Sequence, residues 1–365
     1  MRVLLIVPDY TRKHSGAGEI ARYICKKCAG AEVELLVATG THRPMTREEV
    51  AEMYEDIPFD KFTQHNWREN LTTLGEIPSG FVRDVSEGLL DKKIIVEVNT
   101  KIFGGYDLIF SIGQVVPHEV AGMANHTKNI FVGCGGADMI NTSHMLGAFY
   151  GMERIMGQID TPVRRVFDYA AEKFLGELPI HYILTADDKI FTGQGRGIFE
   201  SAAAHSQEKN IIIMKKPLQK AVVFLAENEF KSTWLGNKAI YRTRMAMADG
   251  GELIILAPGV RRFGEDDATD ALIRKYGYVG RKEIIRLFHQ NADLQQNMSA
   301  AAHLIHGSCD GRFKITYCTK YLSAEEVTNA GFRHIAYDEA ASIYKPDGEH
   351  FYIKNPALGL WVYKK

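Results

Sequence analysis

The sequence predicts an α/β fold with two α/β domains, mostly parallel sheets and an active site in the cleft between the domains. Short apolar runs typical of buried strands alternate with segments of helical periodicity, the pattern of strand–helix–strand units. The chain has 365 residues, which fits one or two domains, and 45% of them are apolar, enough for well-formed cores.

The elements can be placed along the chain in order. The apolar runs predict strands at Val3–Val7, Val33–Val37, Lys93–Val98, Leu108–Ile112, Ile180–Leu184, Ile211–Met214 and Leu253–Ala257. Helical patterns cover Glu19–Lys27, a segment after Thr46, Glu153–Glu177 with a break at Pro162, and Lys238–Ala248. Thr46 followed by Glu49 predicts a capping box. The second α/β pattern starts near Ala221, so we predict domains at 1–218 and 219–345, with the tail 346–365 as a candidate to return to the first.

Composition excludes several classes of protein. Lys and Arg number 44 and Asp and Glu 45, a balance that argues against a nucleic-acid or membrane-surface binder. The apolar run Val3–Val7 is too short for a signal peptide, and no run reaches membrane-spanning length, so we expect a cytoplasmic protein. The five cysteines are too few and odd in number for a disulfide framework. We interpret Cys25 and Cys28 as one turn of a surface helix rather than a zinc or redox site.

Three polar clusters follow predicted strands, at residues 9–12, 38–43 and 114–118. Ligands of parallel sheets gather beyond the carboxyl ends of the strands. Backbone N–H groups of Thr39 and Gly40 could hold an anion there, and Arg43 could grip a carboxylate or phosphate through two hydrogen bonds. An ordinary strand–helix turn explains these residues equally well.

Asp9, Thr11 and Arg12 form a weaker anion site of the same kind. In it Thr11 and Arg12 would contact the anion and Asp9 would orient them.

Histidines are concentrated in the predicted loops. They suit proton transfer near neutral pH and metal binding. A single loop histidine is more often a surface residue, but the grouping favours function for some of these. The set comprises His42, His65, His118, His126 and His144.

Together these motifs resemble the nickel-pincer-dependent lactate racemase family. The family pattern has a Pro-His, a lysine ten residues later and a histidine sixteen residues after that, and Pro117-His118, Lys128 and His144 have this spacing. The segment PDYTR matches the family's Asp-x-Thr-Arg element, and ATGTHRPMT contributes a Thr-Gly-x-His-Arg. The resemblance runs over most of the chain and is less diagnostic in the C-terminal half.

The resemblance implies a racemase or epimerase that inverts C2 of a 2-hydroxy acid by proton-coupled hydride transfer. It implies nickel held by pyridinium-3,5-bisthiocarboxylic acid mononucleotide, which is covalently attached at Lys128, with His144 as the protein's nickel ligand. His118 and His65 would be the acid and base, and Arg43 the carboxylate anchor. The expected cofactor contacts are Asp9, Thr11, Arg12, Thr39 and Gly40. Enzymes of cofactor biosynthesis are the expected partners, and a homo-oligomer is left open.

The chain departs from the family in two places. Asn125-His126 stands where the family usually has Gly-Gly before the lysine, and the family's C-terminal Gln-x-x-Lys is not clear. Tyr241, Arg242 and Arg244 are the candidate substrate contacts instead. Two arginines would suit a sugar acid or a dicarboxylate better than lactate. His303 and His306 fit surface positions better than a site.

Two other functions remain open on the residues alone. A zinc hydrolase would use His118, His126 and His144 around the metal with Glu119 as the acid, although no HExxH spacing exists. A non-catalytic binding protein for an anionic metabolite would use the same loops.

Overall fold

The computed structural model describes residues 1–347, 350–357 and 359–364, and the chain divides into two compact units. Residues 1–146 and 155–209 form the first unit, and residues 147–154 and 210–365 form the second. The expected boundary near residue 218 therefore lies a few residues beyond the observed one. Both units are α/β with mostly parallel sheets, as the sequence predicts.

The first unit is built on a six-stranded sheet of order β10-β9-β6-β1-β2-β3, parallel except for β10. Two antiparallel pairs, β4–β5 and β7–β8, lie outside it. The strands are β1 (Arg2–Pro8), β2 (Glu32–Ala38), β3 (Phe62–Gln64), β4 (Leu71–Ile77), β5 (Ile94–Asn99), β6 (Leu108–Gln114), β7 (Pro117–His118), β8 (Gly122–Met123), β9 (Ile180–Ala186) and β10 (Lys189–Gly193).

The strand order positions the site. From β1 the chain proceeds to β2 and β3 on one side and to β6 and β9 on the other, so strand order reverses between β1 and β6. Val3–Val7 of β1 is completely buried, as its apolar run predicts. A crevice at the carboxyl ends of strands at such a switch point is where ligands of open α/β sheets bind.

The helices up to residue 210 are α1 (Ala17–Lys27), α2 (Arg47–Tyr54), α3 (Ser79–Val85), α4 (Ala137–Tyr150), α5 (Met152–Ile155), α6 (Pro162–Phe174) and α7 (Arg196–Asn210). A π-helical turn covers Asn129–Gly133. The predicted capping box is confirmed: the Glu49 N–H donates to the Thr46 hydroxyl at 3.2 Å and the Thr46 N–H to the Glu49 carboxylate at 3.0 Å. Pro162 is the first residue of α6, where its missing N–H costs no helical bond.

The second unit has a parallel five-stranded sheet of order β15-β14-β13-β12-β16 and a parallel pair, β11–β17. Its strands are β11 (Ile211–Ile213), β12 (Leu218–Phe224), β13 (Met247–Ala257), β14 (Lys314–Thr319), β15 (Arg333–Ala336), β16 (Phe351–Ile353) and β17 (Leu360–Val362). Strands β16 and β17 pair with β12 and β11, so these parts of the C-terminal tail belong to the second unit and do not return to the first.

Helices of the second unit are α8 (Thr233–Gly236), α9 (Lys238–Thr243), α10 (Asp267–Tyr276), α11 (Arg281–Gln290), α12 (Ala292–Gln296), α13 (Met298–His306), α14 (Ala324–Asn329) and α15 (Tyr337–Ile343). The long helix predicted over Lys238–Ala248 is wrong. It ends at Thr243 because β13 already begins at Met247, and Gly250, with φ +78°, lets that strand bend. No helix within the described residues is long and apolar enough to cross a membrane.

Candidate functional site

The loops after β1, β2 and β6 carry most of the polar residues singled out from the sequence. Pro8 and Ala38, the last residues of β1 and β2, are direct partners across the two strands. The loops that begin at Asp9 and Thr39 therefore leave the sheet side by side at its carboxyl edge.

Asp9 and His42 form a hydrogen-bonded pair between these two loops. The Asp9 carboxylate accepts the Thr11 N–H at 3.1 Å and the Thr11 hydroxyl at 2.5 Å, and its second oxygen lies 2.6 Å from His42 Nδ1. Burial raises the pKa of Asp9, but His42, Thr11 and Arg12 together outweigh this and lower it below the usual value. A carboxylate at Nδ1 fixes the proton there, which leaves His42 Nε2 as a proton acceptor.

His118 presents the opposite tautomer. Its Nδ1 accepts the backbone N–H groups of Val120 at 3.1 Å and Ala121 at 3.3 Å. The proton of the neutral ring therefore sits on Nε2, which bonds to none of the described residues. Burial lowers the pKa of His118 well below its usual value, although the carboxylate of Glu119, 3.9 Å from Nδ1, opposes the shift.

Lys128 immediately precedes the π-helical turn, and its amine has no hydrogen bond or ion pair to a described residue. Burial, followed by the positive charge of Arg12, lowers its pKa to about 8. A substantial fraction of the amine is therefore uncharged near neutral pH, the state in which a lysine is a nucleophile.

His144 lies on α4, and its Nδ1 donates to the Ile140 carbonyl at 2.6 Å. Burial lowers its pKa to about 4, against the opposing effect of that bond. The ring is thus neutral, with Nε2 unprotonated and bonded to none of the described residues. A neutral imidazole whose other nitrogen is held by a carbonyl is the usual form of a metal ligand.

The Arg12 guanidinium is the remaining cation of this group, and it too has no side-chain hydrogen bond or ion pair within the described part of the chain. Its charge contributes to the lowered pKa values of both His118 and Lys128, so the three side chains are electrostatic neighbours. Likewise His144 interacts with Lys128 and His42. We call these five residues the first-unit cluster: Arg12, His42, His118, Lys128 and His144.

His65 does not join the first-unit cluster. It is 3% exposed, its Nε2 donates to the Gly135 carbonyl at 3.0 Å and its Nδ1 accepts the Asn99 amide at 3.1 Å. Both ring nitrogens are hydrogen-bonded, so this histidine is held in place as a structural residue. Neither nitrogen is available for the proton transfer expected of it. His42 holds the vacant acceptor instead.

The other residues expected in the loop after β2 make internal contacts. The Gly40 N–H donates to the Gly133 carbonyl at 2.9 Å, and the Thr39 hydroxyl donates to the His65 carbonyl at 2.8 Å. Arg43 is exposed and pairs with the Glu49 carboxylate, one bond measuring 2.9 Å. These groups shape the turn that presents His42, and none offers an open anion contact in this arrangement.

Tyr241, Arg242 and Arg244 are buried inside the second unit. The Tyr241 hydroxyl bonds to His303 Nδ1 at 2.9 Å, and Arg242 donates to the Ala357 carbonyl at 3.1 Å. Arg244 donates to the Ser308 carbonyl at 3.0 Å and pairs with Glu153 at 2.6 Å and Asp310 at 3.2 Å. These bonds stabilise the unit. Nothing in the described surroundings of the three residues supports the substrate contacts expected of them.

His303 and His306 are also buried, 5% and 3% exposed, which corrects their expected surface position. The Tyr278 hydroxyl bonds to His303 Nε2 at 2.9 Å, and the Trp234 ring stacks on the imidazole at 4.3 Å. His303 is therefore part of the core of the second unit.

His126 makes its contacts in the first unit outside the first-unit cluster. Its Nε2 donates to the Gly195 carbonyl at 3.0 Å and its ring lies 4.0 Å from that of Tyr182. Within the described residues, no group of three or more His, Cys, Asp or Glu side chains could hold a metal ion. The three-histidine zinc centre of the hydrolase alternative is not supported.

Residues 1–156 match the family model described as the lactate racemase N-terminal domain. The chain is 26% identical over 277 residues to the lactate racemase of Thermoanaerobacterium thermosaccharolyticum, covering 70% of this chain and 59% of that relative. It is 26% identical over 209 residues to the lactate racemase of Lactiplantibacillus plantarum, covering 55% and 46%. The matched segments thus span about half the length of these relatives.

Two solved structures share the fold over the whole chain. A crystal structure of a protein from Thermotoga maritima has a TM-score of 0.87 at 23% identity, covering 100% of this chain and 94% of that one. The lactate racemase apoprotein from Thermoanaerobacterium thermosaccharolyticum has a TM-score of 0.74 at 20% identity, covering 100% and 87%. The matched N-terminal domain and both relatives agree: this chain is similar in sequence to the lactate racemases.

Proposed function

We propose that this protein is a racemase or epimerase that inverts C2 of a 2-hydroxy acid with a nickel-pincer pyridinium mononucleotide as cofactor. The observation that carries the proposal is the first-unit cluster. It brings together an amine of lowered pKa, a neutral imidazole, a free guanidinium and two histidines of opposite tautomer. Each holds a polar atom that no described residue occupies.

The donor set suits that cofactor. The Lys128 amine is the nucleophile for the covalent link, and His144 Nε2 is the one metal ligand the protein needs to supply. Arg12 would neutralise a phosphate. When bound, the cofactor would supply hydride-acceptor chemistry, and Lys128 and His144 would hold it.

The protein's own part is to move the hydroxyl proton. His42 Nε2 accepts it, because Asp9 holds the other nitrogen and stabilises the imidazolium that forms. His118 would act on the other enantiomer through its Nε2 N–H. An anionic substrate nearby raises the pKa of His118 and lets the ring carry and return a proton. Two histidines are required because the enantiomers present their hydroxyls to opposite sides.

The narrower substrate prediction loses its basis. The sequence favours a sugar acid or dicarboxylate because Arg242 and Arg244 could bind a second polar group of the substrate. Both arginines, however, are buried in the second unit. Arg43, the expected carboxylate anchor, is paired with Glu49. The proposal is therefore a 2-hydroxy acid without further specification of its side chain. The cleft between the domains, a cytoplasmic location and cofactor-biosynthesis enzymes as partners remain predictions.

Co-expression with the cofactor-making enzymes tests the proposal. Intact mass should show an adduct that disappears in Lys128→Met and persists in the control Lys26→Met, an exposed surface lysine. Elemental analysis should show nickel in the wild type and a loss of it in His144→Ala. Zinc without an adduct would support the hydrolase alternative. An adduct with no turnover of any 2-hydroxy acid would support a binding protein.

A further inference from the structure

The loop before Lys128 adopts a backbone conformation that its residues do not favour. Asn125 and His126 have φ values of +71° and +58°, two consecutive left-handed residues, and neither is glycine. Asn and His take this conformation more often than other residues with a Cβ, but as single residues rather than in pairs, because Cβ crowds the following carbonyl oxygen. Something in the surrounding structure must therefore hold the loop, and Lys128 with it.

Arg164 makes three of the bonds that hold it, beside the bond of the His126 N–H to the Asn125 side chain at 2.7 Å and that of His126 Nε2 to the Gly195 carbonyl. This residue near the start of α6 is 0% exposed, and its guanidinium donates to the Met123 carbonyl at 2.7 Å and the Asn125 carbonyl at 3.1 Å. A third bond goes to the Thr127 hydroxyl at 2.9 Å. The planar fork of one side chain thus ties residues 123, 125 and 127, on both sides of the left-handed pair.

The contacts continue behind the loop. The Thr127 hydroxyl donates in turn to Asp168 at 2.9 Å, and Arg196 also pairs with Asp168. The Arg164 guanidinium lies 4.2 Å from the centre of the Phe199 ring. Arg164 has no ion pair to any residue that the structure describes. Burial lowers its pKa to about 10, so the guanidinium stays charged near neutral pH, stabilised by its hydrogen bonds and its aromatic neighbour.

We propose that Arg164 is a positioning residue: it holds Asn125 and His126 in the left-handed conformation and so presents the Lys128 amine to its reaction partner. The inference rests on the proposed function for what Lys128 reacts with. The role in holding the loop stands on the contacts alone. Its charge also contributes to the lowered pKa of Lys128.

Arg164→Lys is the first test, because it keeps the charge and removes the fork. Hydrogen exchange of the backbone amides of residues 123–128, measured in the full chain made without cofactor, should become at least tenfold faster. After co-expression with the cofactor-making enzymes, the fraction of chains with an adduct at Lys128 should fall at least fivefold.

Arg165→Lys, an exposed neighbour on α6 paired with Asp160, is the matched control and should change neither the exchange rate nor the adduct fraction. Thr127→Val, which removes the Thr127 hydroxyl and its bonds to Arg164 and Asp168 but keeps the other two Arg164 bonds, replaces the first variant if that does not fold.

A glycine rescue separates positioning from general stabilisation. Asn125→Gly in the Arg164→Lys background should recover at least half of both losses, because glycine takes positive φ without strain. Asn70→Gly is the control, since Asn70 is also left-handed, with φ +55°, but lies in another loop. Unchanged exchange in Arg164→Lys, or equal rescue by the two glycines, would overturn the proposal. If even the wild type carries no adduct, the proposed function fails while the exchange data still decide the role of Arg164.

Discussion

The first-unit cluster and the core around His303 in the second unit contain the same kinds of residue, but they differ in how many of the polar atoms are bonded. In the second unit, tyrosine hydroxyls bond to His303, and arginines bond to carbonyls and carboxylates: Arg244 alone contacts Ser308, Glu153 and Asp310. In the first-unit cluster each side chain keeps one polar atom unoccupied by any described residue. Reactive groups need an open polar atom, so the first set is suited to chemistry and the second to stability.

The contrast repeats at the level of single histidines. His65 and His42 follow neighbouring strands, β3 and β2, and both have a bonded Nδ1. His65 also donates through Nε2 to the Gly135 carbonyl, whereas His42 Nε2 has no such bond in the described structure. One hydrogen bond therefore separates a structural histidine from a proton acceptor.

The largest expected effect comes from Lys128→Met. Turnover of the 2-hydroxy acid should fall by about a thousandfold or more, because the covalent anchor is lost. The melting temperature should stay the same or rise, because the change removes a buried amine that no described residue hydrogen-bonds or ion-pairs. Chiral chromatography and thermal denaturation measure the two. Retained activity in a variant shown by mass to lack the adduct would contradict the role given to Lys128.

The histidine comparison predicts the next largest effect. His42→Gln should lower turnover by a factor of about 100 to 10,000, the usual contribution of a general acid–base group, with little change in stability. His65→Gln should do the reverse, costing stability by about 1–3 kcal/mol through its two buried bonds while activity stays within a few-fold. Kinetics and urea denaturation on both variants decide the matter. A catalytic defect confined to His65→Gln would reverse the assignment.

The pH dependence of the Lys128 amine comes third. Acetylation of this residue in the protein without cofactor should follow a midpoint near pH 8, and in urea it should move to the ordinary value of about 10.4. The sign follows from burial, which disfavours the charged ammonium, so the reactive neutral amine appears at lower pH in the folded protein. Peptide mass spectrometry across pH gives both curves. Coincident midpoints would show that Lys128 is not perturbed.

Arg244→Met and Arg12→Met compare the same substitution in the two regions. Loss of Arg244 should destabilise the protein by about 2 kcal/mol, because the Ser308 carbonyl loses a buried charged donor. Loss of Arg12 should leave stability within about 0.5 kcal/mol, since its side chain makes no hydrogen bond or ion pair to a described residue. Urea denaturation measures both. Equal destabilisation would remove the distinction between the two regions.

Arg43→Ala should have the smallest effect. Its ion pair with Glu49 is exposed, and such pairs contribute between about 0 and 1 kcal/mol. Substrate KM should stay within about twofold, because the guanidinium faces Glu49 rather than the first-unit cluster. A large rise in KM with unchanged stability would restore Arg43 as the carboxylate anchor.

Much of the fold follows from local patterns in the sequence. The run Val3–Val7 predicts a completely buried strand, and Thr46 with Glu49 predicts a capping box that the structure confirms. The helix predicted over Lys238–Ala248 is too long at its C-terminal end, because Met247 and Ala248 belong to β13, where Met247 pairs with Leu218 of β12. Tertiary pairing of this kind overrides helical propensity and is invisible in a local window.

The site is predictable in part for the same reason. Spacing along one segment identifies His118, Lys128 and His144, which lie within twenty-seven consecutive residues. The choice of His42 over His65 depends on strand register, since the pairing of Pro8 with Ala38 brings Asp9 beside the loop of His42. A sequence signal did exist, because an acid and a histidine each follow closely after one of two adjacent parallel strands.

Isomerisation of a single enantiomer of a 2-hydroxy acid in D2O, by protein co-expressed with the cofactor-making enzymes, tests the central claim most directly. The product should be the opposite configuration at C2 with hydrogen, not deuterium, on that carbon, because the hydrogen leaves and returns as hydride while His42 and His118 exchange only the hydroxyl proton. The same assay with Lys128→Met should show no inversion. Deuterium appearing at C2 in step with inversion would contradict the account, since it would show removal of that hydrogen as a proton.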